Sequence, residues 1–227
     1  MLFLLAVFIF FPVNVFARSM ALGSEKFEKS EGETLPVIIS ESAYDIDGDG
    51  KTEKIEILLE KGRRYNDEEP WCGNGEKWEG YFSIQTIKGG IVLSNQSLNS
   101  LMLMSTKNLD PLSFLAPEFV LIFKDYNADG QIDFNLGQYA GCNGWYYNLF
   151  TIQAEGTVTL LSAEEREYGF FLSNPSDNLN STDAIHAEGG VIKFSYYDQS
   201  RGNVEASYKW NGKQFMLLKE EVEEVLE

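Results

Sequence analysis

The chain has 227 residues, of which 44% are hydrophobic and 14% aromatic, enough for a packed core and too many for general disorder. A formal net charge of −17 argues against nucleic acid or anionic membrane as a partner and favours cations. The same acidity would also keep an exported protein soluble, so charge alone names no ligand.

Residues 1–17 carry no charge and are rich in Leu, Phe, Val and Ile, and Val15 and Ala17 put small residues where a signal peptidase reads. This predicts a secretory signal peptide and a secreted, periplasmic or cell-surface protein. No Lys or Arg precedes the apolar run, which leaves open an uncleaved anchor; Pro12 and the short length argue against a stable membrane span. Residues 18–35 are polar and charged and are expected to form a flexible lead-in. A β-rich domain over 36–218 follows, and the acidic end, 219–227, reads as a short helical tail.

Inside the domain, strand signals prevail. The segment 35–44 opens with the β-branched run Val37-Ile38-Ile39. Residues 81–87 and 91–93 flank Lys88-Gly89-Gly90 as a hairpin; 145–153 and 157–161 flank Ala154-Glu155-Gly156 as a second; 191–197 and 204–210 flank Arg201-Gly202-Asn203 as a third. Asn211-Gly212 suits a type I′ turn into 213–218. Residues 119–123 form a short apolar run suited to a buried strand, and 55–60 fit either a strand or a helix. The expected class is all-β, with antiparallel sheets and hairpins.

Two aspartate-rich segments carry chemistry. Asp45-Ile46-Asp47-Gly48-Asp49-Gly50-Lys51-Thr52-Glu53 places carboxylates at loop positions 1, 3, 5 and 9. Asp125-Tyr126-Asn127-Ala128-Asp129-Gly130-Gln131-Ile132-Asp133 repeats the scheme with Asn at position 3. Ca²⁺ takes about six to eight oxygen ligands in flexible geometry. Alternate side chains of a tight loop can supply them. Glycine at position 6 (Gly50, Gly130) permits the bend, and position 7 (Lys51, Gln131) offers its backbone carbonyl. Glu56 stands at position 12 of the first loop as a further candidate ligand, whereas Leu136 holds that place in the second. The alternative is a metal-free Asp/Gly/Asn turn.

Each loop precedes a Cys/Gly/Asn turn and an aromatic strand, which suggests an internal repeat. Cys72 and Cys142 lie in those turns. They are expected to pair in an oxidising compartment, stabilising by roughly 4 kcal/mol in the chain-entropy model; two free thiols are the alternative.

Together the two loops and their strands resemble the calcium loops of FG-GAP/VCBS-type repeats, the blades of integrin-like β-propellers. The resemblance implies calcium in a strand-linking loop. With two or three units, it implies a propeller-like fragment or a twisted antiparallel sheet rather than a closed ring.

No G-x-S-x-G, H-E-x-x-H or Walker pattern occurs, and His186 stands in no motif and reads as a surface residue. The reading is therefore a secreted calcium-binding domain that acts by binding a protein or glycan, more a binder than an enzyme. An extracellular glycan hydrolase with structural calcium is the alternative. Trp71, Trp78, Trp145, Tyr146 and Tyr147 could form a binding platform or pack the core. Asn95 and Asn180 begin glycosylation-acceptor patterns.

Overall fold

The computed structural model describes residues 35–67, 75–102, 111–166, 168–173 and 179–222. The signal segment 1–17, most of the lead-in, Trp71, Cys72 and residues 223–227 lie outside this set. Among the described residues the chain is all-β and antiparallel, with one helical turn, α1 (Leu98–Leu101). No described helix is long and apolar enough to cross a membrane.

Three sheets account for the strands. The first runs β1 (Val37–Tyr44), β2 (Glu53–Asp67), β3 (Gly75–Lys88), β4 (Ile91–Ser97), and β5 (Leu112–Leu115) pairs with the opposite end of β3. In the second, β6 (Phe123–Lys124), β7 (Asp133–Gly141) and β8 (Gly144–Ile152) follow in order. One end of β8 pairs with β9 (Val158–Leu161) and the other with β10 (Phe170–Leu172). These two sheets share one connectivity, strand for strand, so the repeat suggested by the sequence exists as topology. The third sheet is a simple meander of β11 (His186–Glu188), β12 (Val191–Asp198), β13 (Gly202–Trp210) and β14 (Phe215–Val222).

Burial shows how the sheets stack. Phe134 and Leu136 of β7 and Phe150 and Ile152 of β8 pack with Ile55, Ile57, Phe82 and Phe114 of the first sheet. From the opposite face of the second sheet, Tyr147, Leu149 and Phe170 pack with Ile192, Phe194, Tyr208 and Phe215 of the third. The second sheet is thus covered on both sides. Its strand β7 is buried at six successive positions, whereas β12 alternates between buried and exposed as a one-sided strand should.

Burial on both sides forces polar groups of the middle sheet to find partners. Asn180, Ser181 and Thr182 form a buried strap that supplies them. Asn180 Oδ1 accepts from Leu115 N at 2.8 Å and its Nδ2 donates to Leu115 O at 2.8 Å, so the side chain acts as a one-residue strand. Asn135 Nδ2 donates to Thr182 O, and Asn135 Oδ1 accepts from Thr182 N, each at 2.8 Å. Asn180 is only 2% exposed, which removes it as a glycosylation acceptor; Asn95, on β4, is exposed.

Three local expectations change, and one open alternative is settled. The 119–123 run is no continuous strand. Phe119 makes an isolated bridge to Ser40, and Leu121 N and Ile122 N donate to the hydroxyls of Ser42 and Ser181. The Asn211-Gly212 turn is longer than a type I′ hairpin: Trp210 pairs with Phe215, and Asn211 Oδ1 caps the amides of Lys213 and Gln214. Residues 55–60 are strand, inside β2. The acidic end is not helical where it is described, since 219–222 continue β14 against β13, with Glu220 ion-paired to Arg166 and Arg201.

Candidate metal centre and adjoining cleft

Both aspartate loops sit between the first and second strands of their sheets, one joining β1 to β2 and the other β6 to β7. Four hydrogen bonds of the first loop recur in the second. At position 1, Asp45 Oδ2 accepts from Gly50 N at 2.9 Å, as Asp125 Oδ2 does from Gly130 N at 3.0 Å. At position 3, Asp47 Oδ1 and Asn127 Oδ1 accept from Asp49 N and Asp129 N. At position 5, Asp49 Oδ1 and Asp129 Oδ1 accept from Lys51 N and Gln131 N, each at 2.8 Å. Position 9 closes the loop: Glu53 Oε2 holds Ile46 N, and Asp133 Oδ2 holds Tyr126 N, each at 2.8 Å.

The residue at position 2 pins each loop to a core, Ile46 to the first and Tyr126 to the second. Tyr126 is wholly buried, and its OH accepts from Asn135 Nδ2 at 2.7 Å. Desolvation holds its phenol well above the ordinary tyrosine pKa.

Both loops pass through the left-handed region at position 4. Gly48 does so at φ +73°, but the second loop has Ala128 there at φ +58°. A Cβ in that region costs about 1–2 kcal/mol. Replacing Ala128 by Gly should therefore raise stability by about 0.5–1 kcal/mol, after the extra freedom of the unfolded chain is subtracted. A urea titration reads this directly, and a lower midpoint for the variant would refute it.

The metal-ligating atoms differ between the loops. Carboxylate oxygens of Asp45, Asp47 and Asp49 lie within 4.8 Å of one another. Among them sits the Lys88 ammonium from the β3–β4 hairpin, 2.6 Å from Asp47 Oδ2, 2.9 Å from Asp49 Oδ2 and 2.8 Å from Glu53 Oε1. These contacts, with Asp47 first, raise the Lys88 pKa above the ordinary lysine value.

In the second loop Asn127 Nδ2 donates to Asp129 Oδ2 at 2.9 Å, and no described Lys or Arg pairs with Asp125, Asp129 or Asp133. Asp133 is fully buried, and its Oδ1 makes no hydrogen bond of normal geometry. Across the β7–β8 pair stands Thr151, whose Oγ1 also lacks a bond of normal geometry. Burial, above all, pushes the Asp133 carboxyl up to about 7. A buried carboxylate oxygen without a hydrogen bond of normal geometry, on a loop that carries two further aspartates, suits a hard cation.

Glu56 is not part of the first site. Three residues beyond Glu53 on a strand, it projects from the opposite face, where its carboxylate accepts from Gln85 Nε2 at 2.6 Å and pairs with Lys54. Cys142 lies in the β7–β8 turn, and Cys72 lies outside the described residues. Trp78, Trp145 and Tyr147 are core side chains, which leaves Tyr146 as the described aromatic of that group near solvent.

Tyr146 lines a cleft of about 590 Å³ between the second and third sheets, with Phe171, Tyr196, Arg166, Arg201 and Glu220. Glu220 organises it, accepting from Arg201 Nη1 at 2.6 Å, Tyr196 OH at 2.8 Å and Arg166 Nη2 at 3.1 Å. The Arg201 contact is the main reason its carboxyl titrates below the usual range. No sequence motif marks this cleft, because its residues come from separate strands and turns. His186, on β11, is exposed.

No protein-family model matches the chain, and no curated protein does. A solved structure described as that of a Xanthomonas type IV secretion system related protein aligns with a TM-score of 0.42. Identity is 14%, over 79% of this chain and 80% of that one. At that score the likeness supports no statement about role.

Proposed function

We propose that the chain is an exported, calcium-stabilised β-domain that acts by binding a protein or glycan partner. The observation that carries the metal reading is Asp133 Oδ1, buried with no hydrogen bond of normal geometry in a loop whose other acidic side chains are already turned by the backbone frame. The loop's place between the first two strands of a sheet, twice over, supports the likeness to FG-GAP/VCBS-type blades. On that reading the three stacked sheets are a partial propeller.

Bound there, calcium would be held by Asp125, Asn127, Asp129, Asp133 and the Gln131 carbonyl, and would supply the charge that the cluster of carboxylates lacks. Its role is structural, because the loop fixes where β7 begins. The aromatic and arginine-lined cleft is the surface suited to a ligand.

Thermal unfolding tests the metal reading. At a calcium concentration a hundredfold above Kd, stabilisation of about 2.7 kcal/mol is expected over the protein in chelator. Asp129→Ala should abolish that difference. Equal melting with calcium and with chelator in the wild type would sink the proposal. Binding without product release in a glycan screen, weakened by Tyr146→Ala, is the result expected of a binder.

A further inference from the structure

The two loops are alike in backbone and unlike in what faces their carboxylates. One register step beyond the Lys54–Ile87 pair, Lys88 of β3 stands opposite Glu53. The equivalent place opposite Asp133 is taken by Thr151. One repeat therefore aims an ammonium at its loop, where the other aims an uncharged hydroxyl.

The ammonium fits its surroundings by count as well as by charge. It has three N–H donors and no acceptor. Three carboxylates stand around it, at 2.6 Å (Asp47), 2.8 Å (Glu53) and 2.9 Å (Asp49). Those oxygens are the ones a calcium ion would draw to about 2.3–2.6 Å. Two cations cannot share so small a space without strong repulsion, so either lysine or metal holds it. Both loops hold buried carboxylate oxygens without a hydrogen bond of normal geometry (Asp45 Oδ1 and Glu53 Oε1 in the first, Asp133 Oδ1 in the second), but among the described residues only the first has an ammonium beside them, 2.8 Å from Glu53 Oε1.

We propose that the two loops use different cations: the first keeps Lys88 Nζ as a built-in counter-ion, and calcium enters the second loop alone. This rests on the calcium reading above and assigns its stoichiometry. It also makes the lysine a substitute for metal, so the first sheet closes its loop whether or not calcium is supplied.

Calorimetric titration with Ca²⁺ on the full chain, together with melting curves, decides the point. The wild type should bind one ion per chain and Asp129→Asn none. Lys88→Gln should bind two ions, and Lys88→Gln with Asp47→Asn should return to one. In chelator Lys88→Gln should melt below the wild type and regain the loss when calcium is added. Two ions in the wild type, one ion that survives Asp129→Asn, or no gain in Lys88→Gln overturns the inference and leaves calcium binding standing. No ion in the wild type overturns both. Should Lys88→Gln fail to fold, the wild type and Asp129→Asn still decide which loop binds.

Discussion

In the calcium-free protein, the contribution of Asp133 to stability should fall as pH rises from about 4 to about 7, the reverse of the usual acid-denaturation trend. The ordinary carboxyl value of 3.8 applies in the unfolded chain, and burial raises it to about 7 in the folded one. Between these values the folded state keeps a proton that the unfolded state has released. Each pH unit across that window then favours unfolding by about 1.4 kcal/mol, on the order of 4 kcal/mol in all.

Other carboxyls with shifted values do not mask this. Asp49, Asp183, Asp198 and Glu220 are all lowered by hydrogen bonds and cations, so their contributions are lost at the acid end of the range. Urea titrations in chelator at pH 5 and pH 7.5, on wild type and Asp133→Asn, isolate the effect. The Asn amide can still accept from Tyr126 N but has no proton to exchange in this range. Identical pH slopes in the two proteins would show that Asp133 is not the source. With calcium present the ion takes the place of the proton, so its affinity should rise with pH up to about 7.

The features legible in the sequence were those set by local chemistry. Alternation and glycine turns located the hairpins, and the Asp/Gly spacing located both loops, because each loop hydrogen-bonds mainly to itself. What the sequence hid depends on register. Glu56 matched a ligand position by counting, yet the two-residue period of β2 turns it away from Glu53. Lys88 read only as the first residue of the Lys88-Gly89-Gly90 turn, and only the antiparallel pairing of β2 with β3 brings it to Asp47, which is 41 residues away in sequence.

The Asn180-Ser181-Thr182 strap was hidden for a similar reason. Its polarity matched a glycosylation signal, while it satisfies backbone groups of Leu115 on the first sheet and the side chain of Asn135 on the middle sheet, which has no exposed face. Stacking also explains the close approach at Gly190. An added Cβ there would lie 2.9 Å from Asn127 O, so the β11–β12 turn of the third sheet rests directly on the second loop. The candidate calcium site is thereby coupled to the third sheet, whereas the lysine-filled loop is met by the hairpin of its own sheet.

Phe170→Ala should be among the most damaging single substitutions, because it removes the side chain that β10 inserts into the third sheet. Phe170 is 2% exposed, and its ring centroid lies 5.3 Å from those of Phe194 and Tyr208 and 6.1 Å from that of Phe215. All three partners belong to the third sheet, while the backbone of Phe170 pairs with Tyr147 of the second. Truncating a buried Phe costs about 3–5 kcal/mol in lost transfer energy and residual cavity. That is a large fraction of the roughly 5–15 kcal/mol that holds an ordinary domain together.

Phe171 supplies the control. It is the next residue on the same short strand, faces the other way, and packs at the cleft beside Tyr146, with ring centroids 5.3 Å apart. Phe171→Ala leaves a partly solvated gap and should cost about 1–2 kcal/mol, less than half as much. Chemical unfolding of the two variants distinguishes alternation on β10 from a general need for aromatic bulk there. Equal losses would mean that the third sheet does not depend on Phe170. A larger loss at Phe170 with an unchanged denaturant slope would show that the second and third sheets unfold as one cooperative unit.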